Sequence, residues 1–336
     1  MSSAPTAEEI VRNARWLAQA MDPAQGAVRL VAMDAEAYRR ASFLDDRLLQ
    51  QMVDAQVLPW PEIEAAIDGE LRQDARWIFH IGHVGSTLVS RLLGELPGVL
   101  ALREPRLLRD LALTPPDARE RYCAPVPKLM SRTFAHGQFA CVKATSFVSE
   151  IAPELVPAGE RALFIHATPA NYIGSILAGE NSVKEMRMLA PARSKRLQQR
   201  AVVVGRNQSD AALAAVAWAC EMTALEAAAD AMPDRQIAWA DFDRMLGGMG
   251  DALARTAAFF GFDGDAAQMK AIARGPLMTR YSKALEYDYS PALRRDLIAD
   301  ASAHYRADIQ QALAMLQSAA EKSPLLARAL ARGKEP

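Results

Sequence analysis

The feature that most constrains this chain is a series of short apolar runs, beginning at Arg76, that alternate with segments of helical spacing. The apolar runs are RWIFHIG, GVLALRE, QFACVKA, RALFIHA and RQIAWA. Each reads as a buried strand, and strands that alternate with helices are typical of a parallel sheet joined by right-handed crossovers. The sequence therefore predicts an α/β fold built on a three-layer parallel sheet.

Outside this alternating region, the apolar spacing indicates helices. Residues 1–72 predict a helical N-terminal extension packed on the core, in the segments AEEIVRNARWLAQAM, DAEAYRRASFLDDRLLQQMV and WPEIEAAIDGELRQ. Pro61 suits the first turn of the third of these helices. Residues 73–336 form the predicted α/β domain, whose helical C-terminal part has an irregular break at RGPLMTRYSKALEYDYSPAL.

Charge and cysteine content restrict the partners and the compartment. The 336 residues carry a formal net charge of -1, which gives no general reason to expect nucleic acid or an acidic membrane as a partner. Cys123, Cys141 and Cys220 are far apart and odd in number, so a disulfide framework or a zinc site is not expected. The N-terminal segment does not resemble a secretory signal, and no apolar run reaches the roughly 18 residues of a membrane span. We expect a cytoplasmic protein, and the oligomeric state stays open.

A glycine turn follows the first predicted strand, in the segment WIFHIGHVGSTLVSRLLGELPG. A strand, a glycine turn and a helix N-terminus together make an anion site, because backbone N–H groups point into the turn. The predicted phosphate-binding residues are Gly82, Val84, Gly85, Ser86, Thr87 and Leu88. The alternative is a plain turn in which Ser86 or Thr87 caps a core helix.

The turn differs from the phosphate loop of nucleoside triphosphatases and kinases. That loop reads GxxxxGK[ST], and its lysine contacts the terminal phosphates. Here Gly82 and Gly85 are followed directly by Ser86 and Thr87, with no lysine, and no strand ends in an aspartate suited to hold magnesium. A small-molecule kinase of the P-loop superfamily is therefore disfavoured.

Five motifs in the same order resemble the sulfotransferases that use 3′-phosphoadenosine-5′-phosphosulfate (PAPS). IGHVGSTLVSRLL resembles the family's 5′-phosphosulfate loop, and PGVLALREP resembles the second-strand segment of the tyrosylprotein sulfotransferases. CVKATSFVSEI resembles a lysine-threonine strand end of bacterial members. LFIHATPANYIGSILAGE resembles the 3′-phosphate motif, with Pro169 and Ser175 in matching places. RQIAWADFDRML, followed by ALARTAAFFGF, resembles the late strand and helix.

The resemblance assigns roles to particular residues. His83 occupies the place of the family's basic loop residue, where a cation would stabilise the leaving phosphate, and an imidazole can do this only when it is protonated. Glu104 would take the proton of the acceptor, and the alternative is a solvated glutamate beside Arg103 and Arg106. Lys143, at a strand end, would meet the sulfonate or the phosphate, or pair with Glu104.

The resemblance also leaves one role unfilled. Ala167 stands where the family has the arginine that pairs with the 3′-phosphate, beside the predicted ligand Ser175. Arg280 and Lys283, in TRYSK, are predicted to contact the nucleotide, as the family's C-terminal basic loop does. Further candidates to replace the arginine are Arg193, Lys195, Arg196, Arg200 and Arg206, most of which also suit a solvated helix face. His80, His136 and His304 show no partner pattern, and no metal site is implied.

Three functions follow from these residues. The first is a sulfotransferase that moves a sulfonate group from PAPS to a hydroxyl or amine of a small-molecule acceptor and releases adenosine 3′,5′-bisphosphate, without a metal. The second, favoured by Ala167 and His83, is a non-catalytic protein of the same fold that binds a nucleotide or a phosphorylated ligand. The third is the P-loop kinase.

Overall fold

A computed structural model of the chain describes residues 4–50, 53–205, 209–283 and 286–333. Within these residues the strands are β1 (Trp16–Asp22), β2 (Ala27–Ala32), β3 (Ala55–Pro59), β4 (Arg76–His80), β5 (Val99–Arg103), β6 (Phe139–Lys143), β7 (Arg161–His166) and β8 (Gln236–Asp241). The last five of these strands form one sheet in the order β5-β6-β4-β7-β8, and every neighbouring pair is parallel. The predicted α/β fold with a parallel sheet is confirmed.

The described helices cover both faces of this sheet and both ends of the chain. They are α1 (Ala7–Arg12), α2 (Ala35–Arg40), α3 (Trp60–Ala66), α4 (Ser86–Leu93), α5 (Arg106–Leu113), α6 (Pro116–Cys123), α7 (Val126–Met130), α8 (Ala152–Leu155), α9 (Pro169–Leu177), α10 (Glu180–Gln199), α11 (Asp210–Asp230), α12 (Phe242–Gly247), α13 (Met249–Phe260), α14 (Ala266–Ile272), α15 (Pro291–His304), α16 (Arg306–Ala320) and α17 (Pro324–Arg332). Short 3₁₀ helices span Asp46–Gln50, Ser146–Ile151 and Pro276–Thr279.

The central strand β4 explains the layered packing. Trp77, Ile78 and Phe79 are all fully buried, so both faces of the strand must be covered. The chain runs from β4 towards one edge of the sheet and from β7 towards the other edge. Right-handed crossovers in opposite directions place their helices on opposite faces. Accordingly α4 packs with α13 on one face, and α11 packs with α9, α16 and α17 on the other.

The prediction that residues 1–72 are entirely helical is wrong. Helices α1, α2 and α3 are present, but β1, β2 and β3 form an antiparallel sheet beside them, and β1 packs against α5. The turn at Pro23–Gly26, with φ +60° at Gly26, lets β1 fold back on β2. The two strands pair in antiparallel register, from Trp16 opposite Ala32 to Asp22 opposite Ala27. This pairing decides the structure of the segment, and the apolar spacing of three and four in WLAQAM did not indicate a strand.

The other expected elements are present. Pro61 lies in the first turn of α3, and the break in the C-terminal part holds the 3₁₀ helix Pro276–Thr279 and a bridge between Arg280 and Asp288. The solvated helix face suggested for the basic residues is part of the 20-residue helix α10, which contains Arg193, Lys195 and Arg196 and ends just before Arg200. That helix carries Pro191 in its interior.

Helix α11 has the length and the hydropathy of a membrane span, with a mean hydropathy of 1.3 in its most apolar window. In this window, 83% of the residues are buried inside the protein. Trp218, Cys220 and Leu225 are among its fully buried side chains. The helix therefore has the environment of a core helix.

Strand order also determines where a ligand can bind. Because the connections from β4 and β7 leave in opposite directions, the loops that follow these neighbouring strands separate and open a crevice at the carboxyl edge of the sheet. Open α/β sheets bind their ligands at such a point. The glycine turn 81–85 follows β4 directly, so it lies at this crevice.

Candidate functional site

A cleft of about 820 Å³ opens at the carboxyl edge of the parallel sheet. Its floor is formed by the glycine turn, the start of α4 and the residues that follow β5 and β6. Its walls come from α5, α9, α10, α15 and the segment around Tyr281. Of the residues predicted for the site, the cleft is lined by Gly82, His83, Gly85, Ser86, Thr87, Leu88, Glu104, Lys143, Ser175 and Lys283.

The turn has the backbone conformation of an anion-binding loop. Gly82, His83 and Gly85 have φ values of +78°, +53° and +57°. Helix α4 then begins at Ser86, and no side chain caps its N-terminus. The alternative in which Ser86 or Thr87 caps a core helix is therefore not what the structure has. The N–H groups of the first turn of α4 are left for another acceptor.

Two hydroxyl side chains lie at this helix start. Ser86 and Thr87 are both buried. The Oγ1 atom of Thr87 has no hydrogen-bond partner among the described residues. A buried hydroxyl without a partner costs free energy, and an oxyanion in the loop would remove that cost.

His80 holds the turn in place, a role that the sequence did not suggest. The backbone N–H of Gly82 donates to His80 Nδ1 at 2.9 Å, so Nε2 carries the proton and donates to the carbonyl of Ala144, also at 2.9 Å. Burial, reinforced by the nearby Lys143, lowers the pKa of His80 well below its ordinary value. A neutral His80 therefore ties the loop to the residue that follows β6.

Glu104 and Lys143 form an ion pair at the bottom of the cleft. Glu104 has a left-handed φ of +54°, and its N–H donates to the Lys143 carbonyl at 2.7 Å. Lys143 Nζ donates to Glu104 Oε1, and Thr145 Oγ1 donates to Oε2 at 3.4 Å. The side chain of Lys143 is 1% exposed and that of Glu104 is 13% exposed. Of the alternatives for Lys143, the structure has the pair with Glu104.

Burial of this pair affects the lysine. Desolvation lowers the pKa of Lys143, and the attraction of Glu104 opposes that shift. A non-glycine residue at positive φ is uncommon, and at Glu104 this conformation turns the chain from β5 into α5 beside the cleft. Backbone and side-chain contacts therefore fix the Glu104 carboxylate in the cleft that the glycine turn also lines.

His83 lies in an environment that favours the neutral imidazole. Burial, together with the nearby cations Lys283, Arg193 and Arg294, lowers the pKa of His83 to about 3. Its Nε2 atom lies 3.8 Å from Glu185 Oε2, and the side chain is 21% exposed. The imidazolium expected from the sequence would therefore require a bound anion that offsets the surrounding positive charge.

The β7 side of the cleft contains part of the predicted 3′-phosphate motif. Ser175 lines the cleft, and its hydroxyl donates to the carbonyl of Tyr172 at 2.8 Å. Ala167 is fully buried, and its carbonyl accepts a hydrogen bond from Trp218 Nε1 at 2.9 Å.

In the glycine turn, Val84 is fully buried, so only its backbone can face a ligand.

The proposed replacements for the missing arginine lie in different places. Arg193 lines the cleft and pairs with the buried Glu221, and Lys283 also lines the cleft. Arg196 and Arg200 pair with Glu150, and these two, with Lys195, are not among the cleft-lining residues. Arg280 pairs with Asp288 and is not part of the wall either, and Arg206 lies outside the described residues.

Arg294 is a cleft residue that sequence reasoning missed. Its Nε donates to Asp243 Oδ1 at 3.0 Å, and Asn171 Nδ2 donates to the other oxygen, Oδ2, at the same distance. The guanidinium lies 5.2 Å from the centroid of the Phe242 ring. Its Nη2 atom is buried and has no hydrogen-bond partner among the described residues. Only the pair of adjacent arginines Arg294 and Arg295 in the sequence could have drawn attention to it.

The composition of the cleft favours an anionic ligand. Lys283, Arg193 and Arg294 all act on His83 electrostatically, so positive charge is concentrated beside the turn. Within the described ranges, no group of three or more His, Cys, Asp or Glu side chains is placed to hold a metal ion. The cleft therefore combines a glycine turn at a helix N-terminus, several cations and a nearly buried carboxylate.

Comparisons with known proteins give only distant similarities. No protein-family model and no curated protein sequence matches the chain. Among solved structures, the sulfotransferase domain from the curacin biosynthetic pathway has 12% identity and a TM-score of 0.42, over 74% of this chain and 99% of its own. The sulfotransferase domain from the Synechococcus PCC 7002 olefin synthase has 15% identity and a TM-score of 0.39, over 68% and 89%.

A third solved structure is the mouse sulfotransferase SULT7A1 complexed with PAP, with 12% identity and a TM-score of 0.41, over 78% of this chain and 90% of its own. Similarity this distant does not decide what the chain binds or does. Its function has to be inferred from the residues of its own cleft.

Proposed function

We propose that this protein is a sulfotransferase that moves a sulfonate group from PAPS to a hydroxyl or amine of a small-molecule acceptor. One observation carries the proposal: an anion-binding turn and a buried carboxylate–lysine pair line the same cleft. Transfer of a charged group needs a site for the leaving anion and a base for the acceptor, and the cleft has a candidate for each.

The unpartnered donors of the cleft fit an anionic ligand of this kind. Thr87 Oγ1 lies at the start of α4, and Arg294 Nη2 lies in the wall formed by α15. The turn, with Ser86 and Thr87, would hold the 5′-phosphate end. Ser175, Lys283 and Arg294 are candidates for the second phosphate, in place of the arginine missing at Ala167.

The chemistry divides between the ligand and the protein. When bound, PAPS supplies an activated sulfonate whose leaving group is a phosphate. Glu104 would accept the proton of the acceptor hydroxyl at a carboxylate oxygen. In the structure this carboxylate is engaged in the pair with Lys143. A shift of Lys143 Nζ towards the bound anion would release Glu104 for this task and place a cation beside the leaving group.

A second function has observations of its own. The Glu104–Lys143 pair, a neutral His83 and the buried Ala167 also suit a protein that binds a nucleotide or phosphorylated ligand without catalysis. A P-loop kinase is supported less, because the turn has no lysine. We also propose a cytoplasmic location, with which the free thiols of Cys123, Cys141 and Cys220 are compatible.

Ligand binding and product release separate these functions. Adenosine 3′,5′-bisphosphate should raise the midpoint of thermal unfolding in the absence of metal, whereas ATP with magnesium should do so for a kinase. With PAPS and a panel of alcohols, phenols and amines, a sulfotransferase releases adenosine 3′,5′-bisphosphate in an acceptor-dependent way. Binding without release by the wild type would favour the non-catalytic function, and no stabilisation by the bisphosphate would contradict the sulfotransferase.

A further inference from the structure

Exposed apolar side chains are concentrated at the mouth of the cleft. Among the described residues, eight large apolar or aromatic side chains are exposed, and five of them line this cleft: Leu113, Met188, Tyr281, Leu293 and Leu297. Their exposed fractions lie between 41% and 72%. Isolated exposed apolar residues are ordinary, but a group around a cleft marks a binding surface.

The fold places this group, which we call the apolar rim. Leu113 is the last residue of α5, Met188 lies on α10, and Tyr281 lies in the segment before α15. Leu293 and Leu297 are four residues apart on α15 and therefore share one helix face. Four separate segments thus contribute to one apolar surface.

The bottom of the cleft has the opposite character. Glu104, Lys143, Ser86 and Thr87 are polar groups that are buried or nearly so. Helix α5 connects the two zones, since it starts at Arg106, just after Glu104, and ends at Leu113 in the rim. Seven residues of helix rise by roughly 10 Å, so an occupant that reaches from Glu104 to the rim must extend over about that length.

We propose that the acceptor is an elongated amphiphilic alcohol, with its hydroxyl at Glu104 and its hydrocarbon body against the apolar rim. The inference rests on the proposed sulfotransferase function for the reaction, but the binding itself does not require catalysis. The polarity of the cleft decides between occupants. A sugar would leave the apolar rim exposed to water, and a hydrocarbon without a hydroxyl would offer no proton for Glu104 to accept. In the reaction, the acceptor O–H bond breaks with its proton going to Glu104, the acceptor oxygen bonds to sulfur, and the bond from sulfur to the phosphate oxygen breaks.

The test uses the homologous 1-alkanols from hexanol to decanol as probes, with glucose as a polar comparison. Binding to the full-length protein is measured by titration calorimetry, with and without adenosine 3′,5′-bisphosphate. Each added methylene that leaves water should lower Kd by about two- to fourfold. Glucose should show no binding in the same concentration range. Equal Kd values along the alkanol series would overturn the proposal.

Rim variants supply the second measurement. Met188→Ser and Leu297→Ser change exposed side chains and should reduce the dependence of Kd on chain length. Val203→Ser is the matched control, because Val203 is also highly exposed but does not line the cleft. The inference is wrong if the rim variants and the control behave alike. It is also wrong if the rim variants lose only binding to phosphatidylcholine vesicles, because the rim would then be a membrane-docking surface.

Nucleotide binding by the wild type distinguishes the two proposals. Chain-length dependence without binding of adenosine 3′,5′-bisphosphate would support the amphiphile site and contradict the sulfotransferase. Binding of the bisphosphate without chain-length dependence would support the nucleotide site and contradict the amphiphilic acceptor.

Discussion

Gly85 and Phe242 occupy adjoining space so closely that a Cβ atom on Gly85 would lie 1.8 Å from Phe242 Cζ. Phe242 is buried and is the first residue of α12, the helix that follows the edge strand β8. The glycine turn after the central strand β4 therefore packs against a residue that comes from the edge of the sheet. A side chain at position 85 would therefore displace Phe242 before it reached any ligand. Gly85 is required by packing as well as by its left-handed φ of +57°.

This contact predicts a specific stability defect. Gly85→Ala should lower the free energy of unfolding by roughly 1–2 kcal/mol for the left-handed backbone and by about 1–3 kcal/mol for overpacking against Phe242. Gly26→Ala is the matched control, because Gly26 has φ +60° and a Cβ atom added there would enter open space. Urea denaturation should show the larger loss at position 85. Equal losses in the two variants would mean that Phe242 yields at no cost.

The Glu104–Lys143 pair predicts that replacing Glu104 lowers the stability of the fold as well as any catalytic activity. Glu104→Gln leaves the buried Lys143 ammonium without its anion, and breaking a buried pair in this way costs about 3–5 kcal/mol. The double variant Glu104→Gln with Lys143→Met should recover part of this loss, since no buried charge remains. Denaturation of the wild type, both single variants and the double variant gives the coupling energy. Additive losses would show that the two side chains do not act as a pair.

The same pair gives a pH dependence whose sign is fixed. Burial lowers the pKa of Lys143 in the folded protein, so the folded state binds fewer protons than the unfolded chain and stability rises as pH increases towards the ordinary lysine pKa. Glu104 opposes this shift. In Glu104→Gln the rise should therefore begin at a lower pH than in the wild type. Parallel stability curves for the two proteins between pH 7 and about 10 would contradict the assignment.

The sequence predicted the parts of the fold that depend on local pattern. Each apolar run from Arg76 onwards is a strand of the parallel sheet, because a strand covered on both faces needs a continuous apolar segment. The edge strand β8 is only half-buried. The turn at Gly82 and Gly85 was recognisable for a similar reason, since glycines between a strand and a helix mark a backbone that other residues rarely adopt. The placement of Glu104 and Lys143 together also followed, because they end neighbouring strands at the same edge.

Features that depend on distant contacts could not be predicted. The strands β1 and β2 are stabilised by pairing with each other, whereas the apolar spacing of the residues in β1 indicated a helix. Phe242 and Arg294 join the cleft through packing between segments far apart in the chain. The lowered pKa of His83 comes from burial first and then from three cations of other helices and loops, which no local motif reveals.

His83 predicts a loss of stability in mild acid. Its pKa in the folded protein is lowered to about 3, whereas an unperturbed histidine titrates near 6.5. The stabilising contribution of a neutral His83 is therefore complete above about pH 6.5 and is lost as pH falls towards 3. At pH 5 the loss amounts to roughly 2 kcal/mol.

The variant His83→Gln should remove this acid-dependent loss between about pH 6.5 and 5, a window above the titration of most carboxylates. The exposed His136 supplies the control, and His136→Gln should keep the wild-type profile. Binding of adenosine 3′,5′-bisphosphate should raise the pKa of His83, because the phosphate offsets the cations around the imidazole. The protein should therefore take up a proton on binding. Calorimetry in buffers of different ionisation enthalpy measures that uptake. Equal uptake by the wild type and His83→Gln would assign the proton to another group.

Arg294 gives the sharpest test of the anion site, because the residue beside it in the chain offers a matched control. Asp243 and Asn171 hold its guanidinium in the wall of the cleft, while Nη2 is buried without a partner among the described residues. If Nη2 binds a phosphate oxygen, Arg294→Gln should lower the affinity for adenosine 3′,5′-bisphosphate by about 10- to 100-fold. This is the range expected for the loss of one charge-assisted hydrogen bond.

Arg295→Gln removes the same charge from an exposed position that does not line the cleft, so the affinity should change less than about twofold, as expected for a screened surface charge. Asp243→Asn keeps the size of the side chain that orients Arg294, and an intermediate loss is expected because the guanidinium is held less firmly. Thermal unfolding without ligand checks that each variant is folded. If Arg294→Gln and Arg295→Gln weaken binding equally, Arg294 contributes only to the general field of the cleft, and the second phosphate must be held by Lys283 and Ser175 instead.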